Sequence, residues 1–297
     1  MMQVGLVGSA HWARTVHAPG LAGSSHVQFA GVWARDFSKA AELAKAHDTQ
    51  AFRDYDDLLG AVDAVSFAVP PNIQPSLAQR AVRQGKHVLL EKPIADSLAS
   101  GSQLVRDIEQ AEVRSVVFLT RLFHPVLHAG IAEAAETGGW SSANMRIASS
   151  TMRVASPYSG SIWRKKPNAA LWDLGPHMFS VLWTVMGPII GVKARRDERG
   201  HIQVHAIHSA QRASHGELSL QARDEDIANE TSFTGSSGHL SLPTVDFAHG
   251  GAASAYEAAL AQLSHQERGP NFCGAQFGLQ LLKLLQECED QLGQTPS

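Results

Sequence analysis

Asp173 and His177 stand four residues apart in the stretch ALWDLGPHMFS, so a helix through it sets both side chains on one face. A histidine changes charge near neutral pH and can take or return a proton at a reacting oxygen. A carboxylate beside it can orient the imidazole or a substrate hydroxyl. Lys92 lies in GKHVLLEKPIA, an apolar run that reads as a strand with the lysine at its end. An ammonium there can lower the pKa of a hydroxyl and stabilise a developing alkoxide. Taken singly, each residue also suits a plain role, a solvated lysine or a packing histidine. Pro176 lies between Asp173 and His177 and has no N–H for a helix interior. The helix is therefore expected to begin near Asp173, with both side chains in its first turn.

A second constellation opens the chain. MMQVGLVGSAHWART reads as a strand, a turn at Gly8 and a helix. The dinucleotide fingerprint G-x-G-x-x-G/A falls on Gly8, Ser9, Ala10, His11, Trp12 and Ala13, with alanine in place of the second glycine. Gly8 supplies a tight turn, and Ala13 is small enough for close packing of helix on strand. Ala10 is tolerable if its φ stays negative. The same residues also fit a strand–turn–helix with no ligand. At the end of the second strand, in GVWARD, Ala34 and Arg35 stand where an NAD site usually carries an acid. A small residue beside a guanidinium suits a 2′-phosphate, although Arg35 could simply begin a loop and Asp36 could bind the ribose.

These residues need a scaffold. The first third alternates apolar strands with amphipathic helices, the pattern of βαβ units and a parallel sheet. Strands are expected at QVGLVG, VQFAGVWA, AVDAVSFAVPP, KHVLLEKP and RSVVFLTRLF. Helices are expected over 12–22, DFSKAAELAKAH, PSLAQRAVRQG and SLASGSQLVRDIEQAE. From about residue 141 the runs ANMRIASSTMRV, IIGVKARR, IQVHAIHSAQ and HGELSLQAR alternate without intervening helices, which predicts a largely antiparallel sheet. FTGSSGHLSLP reads as a turn between strands, and GAQFGLQLLKLLQECEDQL as a closing helix. The expected division is a Rossmann domain over 1–122 and an α+β domain over 123–297.

Composition excludes other classes. The chain has 297 residues, 44% hydrophobic and 18% charged, with a net charge of −3, so it offers no electrostatic case for nucleic acid or an anionic membrane. No uncharged apolar run reaches bilayer length, and the start shows no secretory pattern, so a cytoplasmic location is expected. Cys273 and Cys288 have no zinc-site spacing, and no metal is expected.

The E-K-P motif, followed some eighty residues later by D-x-G-x-H and preceded by the Gly8 turn, resembles the glucose–fructose oxidoreductase, inositol dehydrogenase and rhizopine-catabolism (Gfo/Idh/MocA) family. The likeness runs over nearly the whole chain. It implies hydride transfer between a nicotinamide cofactor and a secondary alcohol or ketone of a sugar, cyclitol or related molecule. Lys92, Asp173 and His177 would surround the carbinol, with His177 as acid/base. Cofactor contacts are implied at Gly8 through Ala13, at Ala34, Arg35, Pro70, Pro71, Asn72 and Gln74, and at Glu91, Lys92 and Pro93. Arg121, Tyr158, Trp163 and Arg164, with Asp173 and His177, are the substrate candidates. Tyr158 and Lys165 suit an ordinary loop equally well. NADP is expected rather than NAD, and a homodimer or homotetramer through the second sheet.

Two departures from the family pattern stand out. Gln74 occupies a position where relatives often carry histidine, and Ser180 one where sugar dehydrogenases carry an acid. With the apolar Met178 and Phe179 beside it, Ser180 suggests a substrate less hydroxylated than a free hexose. A non-catalytic dinucleotide sensor of the same fold, or a reductase of imines or activated double bonds, remains as an alternative.

Overall fold

The computed structural model describes residues 1–152, 156–158, 160–245, 247, 251–265 and 273–293. Arg153, Val154 and Ser159, which belong to expected strand and loop runs, lie outside them. The chain divides into two units, Met1–His124 with Phe247–Gln280, and Pro125–Asp246 with Leu281–Ser297. The expected single break near residue 122 omits a return of the chain: residues 247–280 come back to the first unit.

In the first unit six strands form one parallel sheet: β1 (Met2–Val7), β2 (Val27–Trp33), β3 (Ala51–Phe52), β4 (Ala64–Phe67), β5 (His87–Leu90) and β6 (Ser115–Val117). Their order is β3-β2-β1-β4-β5-β6, so the chain reverses its direction of growth between β1 and β4. In such doubly wound sheets the carboxyl ends of the strands at that reversal are where ligands bind. Central strands must be apolar on both faces, and Val4, Leu6, Val65, Phe67, Val88 and Leu89 are fully buried. The crossovers are the helices α1 (Ala18–Gly23), α2 (Phe37–Ala46), α3 (Tyr55–Ala61), α4 (Gln74–Arg83) and α5 (Leu98–Gln110). Their starts are chemically marked. Asp36, Asp54 and Ser97 accept from Lys39, Asp56 and Ser100 backbone N–H groups, satisfying donors the helix cannot.

One expectation needs correction here. The strand expected through residue 123 ends at Val117, and Thr120–Phe123 forms the short helix α6. The β-branched run stops there and the next residues turn. The pair β3 and α3 was not foreseen, because two strand residues are too few for a pattern.

The second unit holds α7 (Pro125–Thr137), α8 (Ala169–Met186) and six strands: β7 (Trp140–Ala148), β8 (Ile189–Arg196), β9 (Ile202–His208), β10 (Ala213–Ser219), β11 (Ala228–Gly235) and β12 (Gly238–Ser241). The sheet order is β12-β11-β7-β10-β9-β8. Only β10 with β7 runs parallel, and the other pairs are antiparallel. One face packs on α8. Gly216 of β10 has no Cβ, and one placed there would collide with the Met178 sulfur. Two further helices, α9 (Ala252–Ser264) and α10 (Ala275–Leu292), complete the chain. Cys273 and Cys288 are buried free thiols.

The opposite face of this sheet carries an ion-pair network. Arg199 bridges Asp197, Glu217 and Asp226 at 3.3 Å each, and Gln203 donates to both Asp197 and Glu217. Burial alone would raise the Glu217 carboxyl, but hydrogen bonds from Gln203 and His201 and the charges of Arg146 and Arg199 hold it below its ordinary value. A depressed carboxylate contributes stability above the unfolded pKa and loses it as pH falls through the folded one. The melting temperature is therefore expected to drop as pH falls below the ordinary glutamate value of 4.5. In Glu217→Gln that acid dependence should be visibly flatter, as thermal denaturation at stepped pH would show.

Candidate active site

The nucleotide turn follows from the end of β1. Gly8 N–H donates to the Trp33 carbonyl at 2.9 Å, and Gly8 has φ +127°. A Cβ there would run into the Ala68 carbonyl at the end of β4, so glycine is required by both space and conformation. Ala10 keeps a negative φ and is exposed, which removes the objection to alanine in the second position. Ala13 is fully buried, as close helix–sheet packing demands. The helix begins at His11, directly after the turn, and the Arg14 N–H donates to the Ala10 carbonyl at 3.1 Å. A turn of this kind, at the reversal of sheet order, fits the pyrophosphate of a dinucleotide.

Of the two candidate groups after β2, Arg35 is exposed, whereas Asp36 caps α2 by accepting from Lys39 N at 3.3 Å. Ala34 is buried beside them. Pro70 and Asn72, beyond β4, are exposed and Pro71 is buried.

Gln74, one of the expected cofactor residues, is fully buried, with its amide bonded to the E-K-P turn. Its Oε1 accepts from Glu91 N at 2.8 Å, and its Nε2 donates to the carbonyls of Glu91 at 2.8 Å and Ile94 at 3.1 Å. Lys92 follows at the carboxyl end of β5, half-buried. The Glu91 carboxylate in turn accepts from Trp12 Nε1 at 2.7 Å and lies 3.0 Å from His17 Nε2. The fold thus brings together Trp12, Gln74, Glu91 and the backbone of Lys92. His17, Ser66 and Tyr256 join this group and were missed. His17 sits four residues past the fingerprint, and Tyr256 arrives on α9, which the sequence pattern did not reveal. Arg121, a substrate candidate, is instead buried on α6 with its guanidinium 5.3 Å from the Phe247 ring. Burial pushes its pKa down to about 10.

In the second unit, α8 begins at Ala169, after Asn168 with φ +56°, four residues earlier than expected. Pro176 therefore lies inside the helix, where its ring removes one backbone hydrogen bond. The four-residue spacing still sets Asp173 and His177 on one face. Arg164 grips Asp173 with two bonds, Nε to Oδ2 at 2.7 Å and Nη2 to Oδ1 at 3.3 Å. The guanidinium lies 4.3 Å from the Trp163 ring centroid and 4.6 Å from that of Tyr158, so these candidates do assemble. Ser180, Met178 and Phe179 are fully buried, and Ser180 Oγ donates back to the His177 carbonyl at 3.1 Å. Their apolar character serves core packing, so they no longer argue for a less hydroxylated substrate.

Among the described residues one His/carboxylate group has ligand atoms within 4.8 Å of one another: Asp197, His201 and Glu217. All four of its carboxylate oxygens already accept from protein donors, so the residues form an ion-pair network rather than an open ligand set. No helix among the described residues is long and apolar enough to cross a membrane.

Comparison with known proteins agrees with this architecture. An uncharacterized oxidoreductase of Synechocystis is 29% identical over 63% of this chain and 52% of its own length. The UDP-N-acetylglucosamine 3-dehydrogenase of Acidithiobacillus ferrooxidans is 31% identical over 42% of this chain and 39% of its own. The chain thus spans about half the length, or less, of these curated relatives. The apo scyllo-inositol dehydrogenase of Lactobacillus casei superposes with a TM-score of 0.82 at 16% identity, covering 99% of this chain and 96% of that one, and so shares the fold. Residues 2–119 match the Gfo/Idh/MocA model, described as the oxidoreductase family with an NAD-binding Rossmann fold.

Proposed function

We propose that this chain is an NADP-dependent oxidoreductase that transfers hydride reversibly at a secondary alcohol or ketone of a sugar, cyclitol or related small molecule. The observation that carries this reading is the bond from Trp12, in the Gly8 turn, to Glu91, next to Lys92. It ties the nucleotide turn to the lysine strand at the carboxyl edge of one parallel sheet. The dehydrogenases named above act, by their names, on a sugar nucleotide and a cyclitol, and they favour a polyhydroxylated substrate here.

When bound, the nicotinamide supplies the hydride acceptor or donor. The turn from Ser9 to Ala13 would hold the pyrophosphate at its backbone, with Gly8 giving it room, and Arg35 would grip the 2′-phosphate. His177 takes the proton from the substrate hydroxyl during oxidation and returns it during reduction. Lys92 donates to the same oxygen and stabilises its negative charge. Asp173, held by Arg164, keeps that face of α8 fixed. Self-association as a homodimer or homotetramer through the second sheet belongs to the same reading.

Fluorescence titration of the purified chain should show tighter binding of NADPH than of NADH. Arg35→Ala should weaken NADPH by about tenfold, the loss of a paired guanidinium–phosphate contact, and leave NADH nearly unchanged. Equal weakening of both would remove Arg35 from this role.

His177→Ala should lower turnover by about 10²- to 10⁴-fold, the usual contribution of a positioned acid/base, with NADPH binding retained. If the wild-type chain binds NADPH but turns over none of a panel of polyols, sugar nucleotides and their ketones, the sensor alternative takes its place.

A further inference from the structure

Glu91 and His17 have no part in that mechanism, yet they are among the most heavily bonded side chains in the first unit. The two Glu91 oxygens face different ways. Oε1 accepts from Trp12 Nε1 at 2.7 Å and lies 3.0 Å from His17 Nε2, while Oε2 accepts from the Lys92 backbone N–H at 3.2 Å. One carboxylate thus meets both the start of the helix after the nucleotide turn and the backbone of the reacting lysine.

Two residues five apart, such as Trp12 and His17, point about 140° apart in an α-helix, at ~100° per residue. Here residues Ala13–His17 form a π turn, closed by the Ala18 N–H to the Ala13 carbonyl. With more residues in each turn than an α-helix, it brings positions i and i+5 toward one side. That local departure lets both side chains reach the same oxygen.

His17 is fully buried and held from behind. Its Nδ1 lies 2.9 Å from Ser66 Oγ, which lies 2.6 Å from the Tyr256 hydroxyl. A neutral ring protonated on Nε2 satisfies every member of this chain. Tyr256 donates to Ser66, Ser66 to His17 Nδ1, and His17 to Glu91. The imidazole also packs against the Phe118 and Tyr256 rings at 5.9 and 4.6 Å. A half-buried carboxylate with several donors is costly to move, because each broken bond leaves an unpaired group behind.

We propose that Glu91 is a positioning residue that couples the nucleotide turn to Lys92, and that His17, aimed by the π turn, fixes Glu91 in that role. The inference rests on the reading of Lys92 as the lysine of the hydride-transfer site. It assigns the network beneath that lysine a function besides packing: nucleotide affinity and lysine placement depend on the two oxygens of one carboxylate.

The test uses the full chain, NADPH as the probe, and the alcohol that the wild type oxidises fastest. Dissociation constants come from fluorescence titration and kcat and KM from initial rates, with thermal denaturation alongside. Glu91→Ala should lower kcat by about a hundredfold, the scale of a reacting group misplaced by ~1 Å, and raise the NADPH Kd. Glu91→Gln keeps an acceptor oxygen for Trp12 and His17 but sets its NH2 against the Lys92 N–H, so it should recover most of the NADPH affinity and little of kcat. His17→Phe should lower kcat by about tenfold with substrate KM nearly unchanged. Trp12→Phe should weaken NADPH, and Trp12→Phe combined with His17→Phe should lose less than the two single losses together, because both donors share one oxygen. That last comparison carries the test if Glu91→Ala does not fold. Additive losses in the double variant, or a Glu91→Ala enzyme with wild-type kcat and Kd, would overturn the proposal. A wild-type chain that binds neither NADPH nor NADH would overturn the oxidoreductase reading itself, and this proposal with it, before any variant is made.

Discussion

A chain leaving a parallel sheet must find partners for the backbone groups that the ladder no longer pairs. At the end of β5 one buried amide meets that demand. Gln74 accepts from the Glu91 N–H and donates to the carbonyls of Glu91 and Ile94, so the backbone around Lys92 is clamped on both its donor and acceptor sides. Glutamine suits this place because its amide carries an acceptor and two donors on one rigid plane. Histidine in the same position could not both accept from and donate twice to neighbouring backbone groups. Since Gln74 is also the first residue of α4, the β4–α4 crossover sets where Lys92 emerges.

The same economy appears at the nucleotide turn. Gly8 is constrained from three strands: it follows β1, donates to the residue ending β2, and is closed over by the carbonyl after β4. The position that looked doubtful, Ala10, lies on the open side of the turn where a methyl group meets no such limit. The fingerprint's glycines are thus unequal here. The first is fixed by backbone on several sides, whereas the second leaves room for a small side chain.

Much of this was legible in sequence because its signals are local. Apolar runs broken by amphipathic helices revealed the parallel sheet, Gly8 and Ala13 the turn, and the E-K-P stretch the strand end. IIGVKARR coincides with β8. What was not legible depends on partners remote in sequence or on helix geometry that no pattern encodes. Tyr256 meets Ser66 across 190 residues, on a helix whose many alanines give only a weak stripe. The π turn that aims His17 has no residue signature. Met178 and Phe179 looked like pocket lining beside the D-x-G-x-H motif, but the sheet required them as core. Pro176 suggested a helix start, and tertiary burial of α8 overrode that local preference.

The two motif carboxylates are held by opposite means, and this difference bears on how a reaction would divide its work. Glu91 accepts from an indole and a backbone amide and lies against an imidazole, with Lys92 next to it in the chain. Asp173 is gripped by the guanidinium of Arg164, which neutralises it, and two aromatic rings hold that guanidinium in turn. A two-bond arginine–carboxylate pair of this kind is stiff. On the proposed mechanism, Asp173 then supports the helix face. The proton-transfer duty falls to His177, one turn further along α8 and the group in that pair whose ordinary pKa lies near neutral.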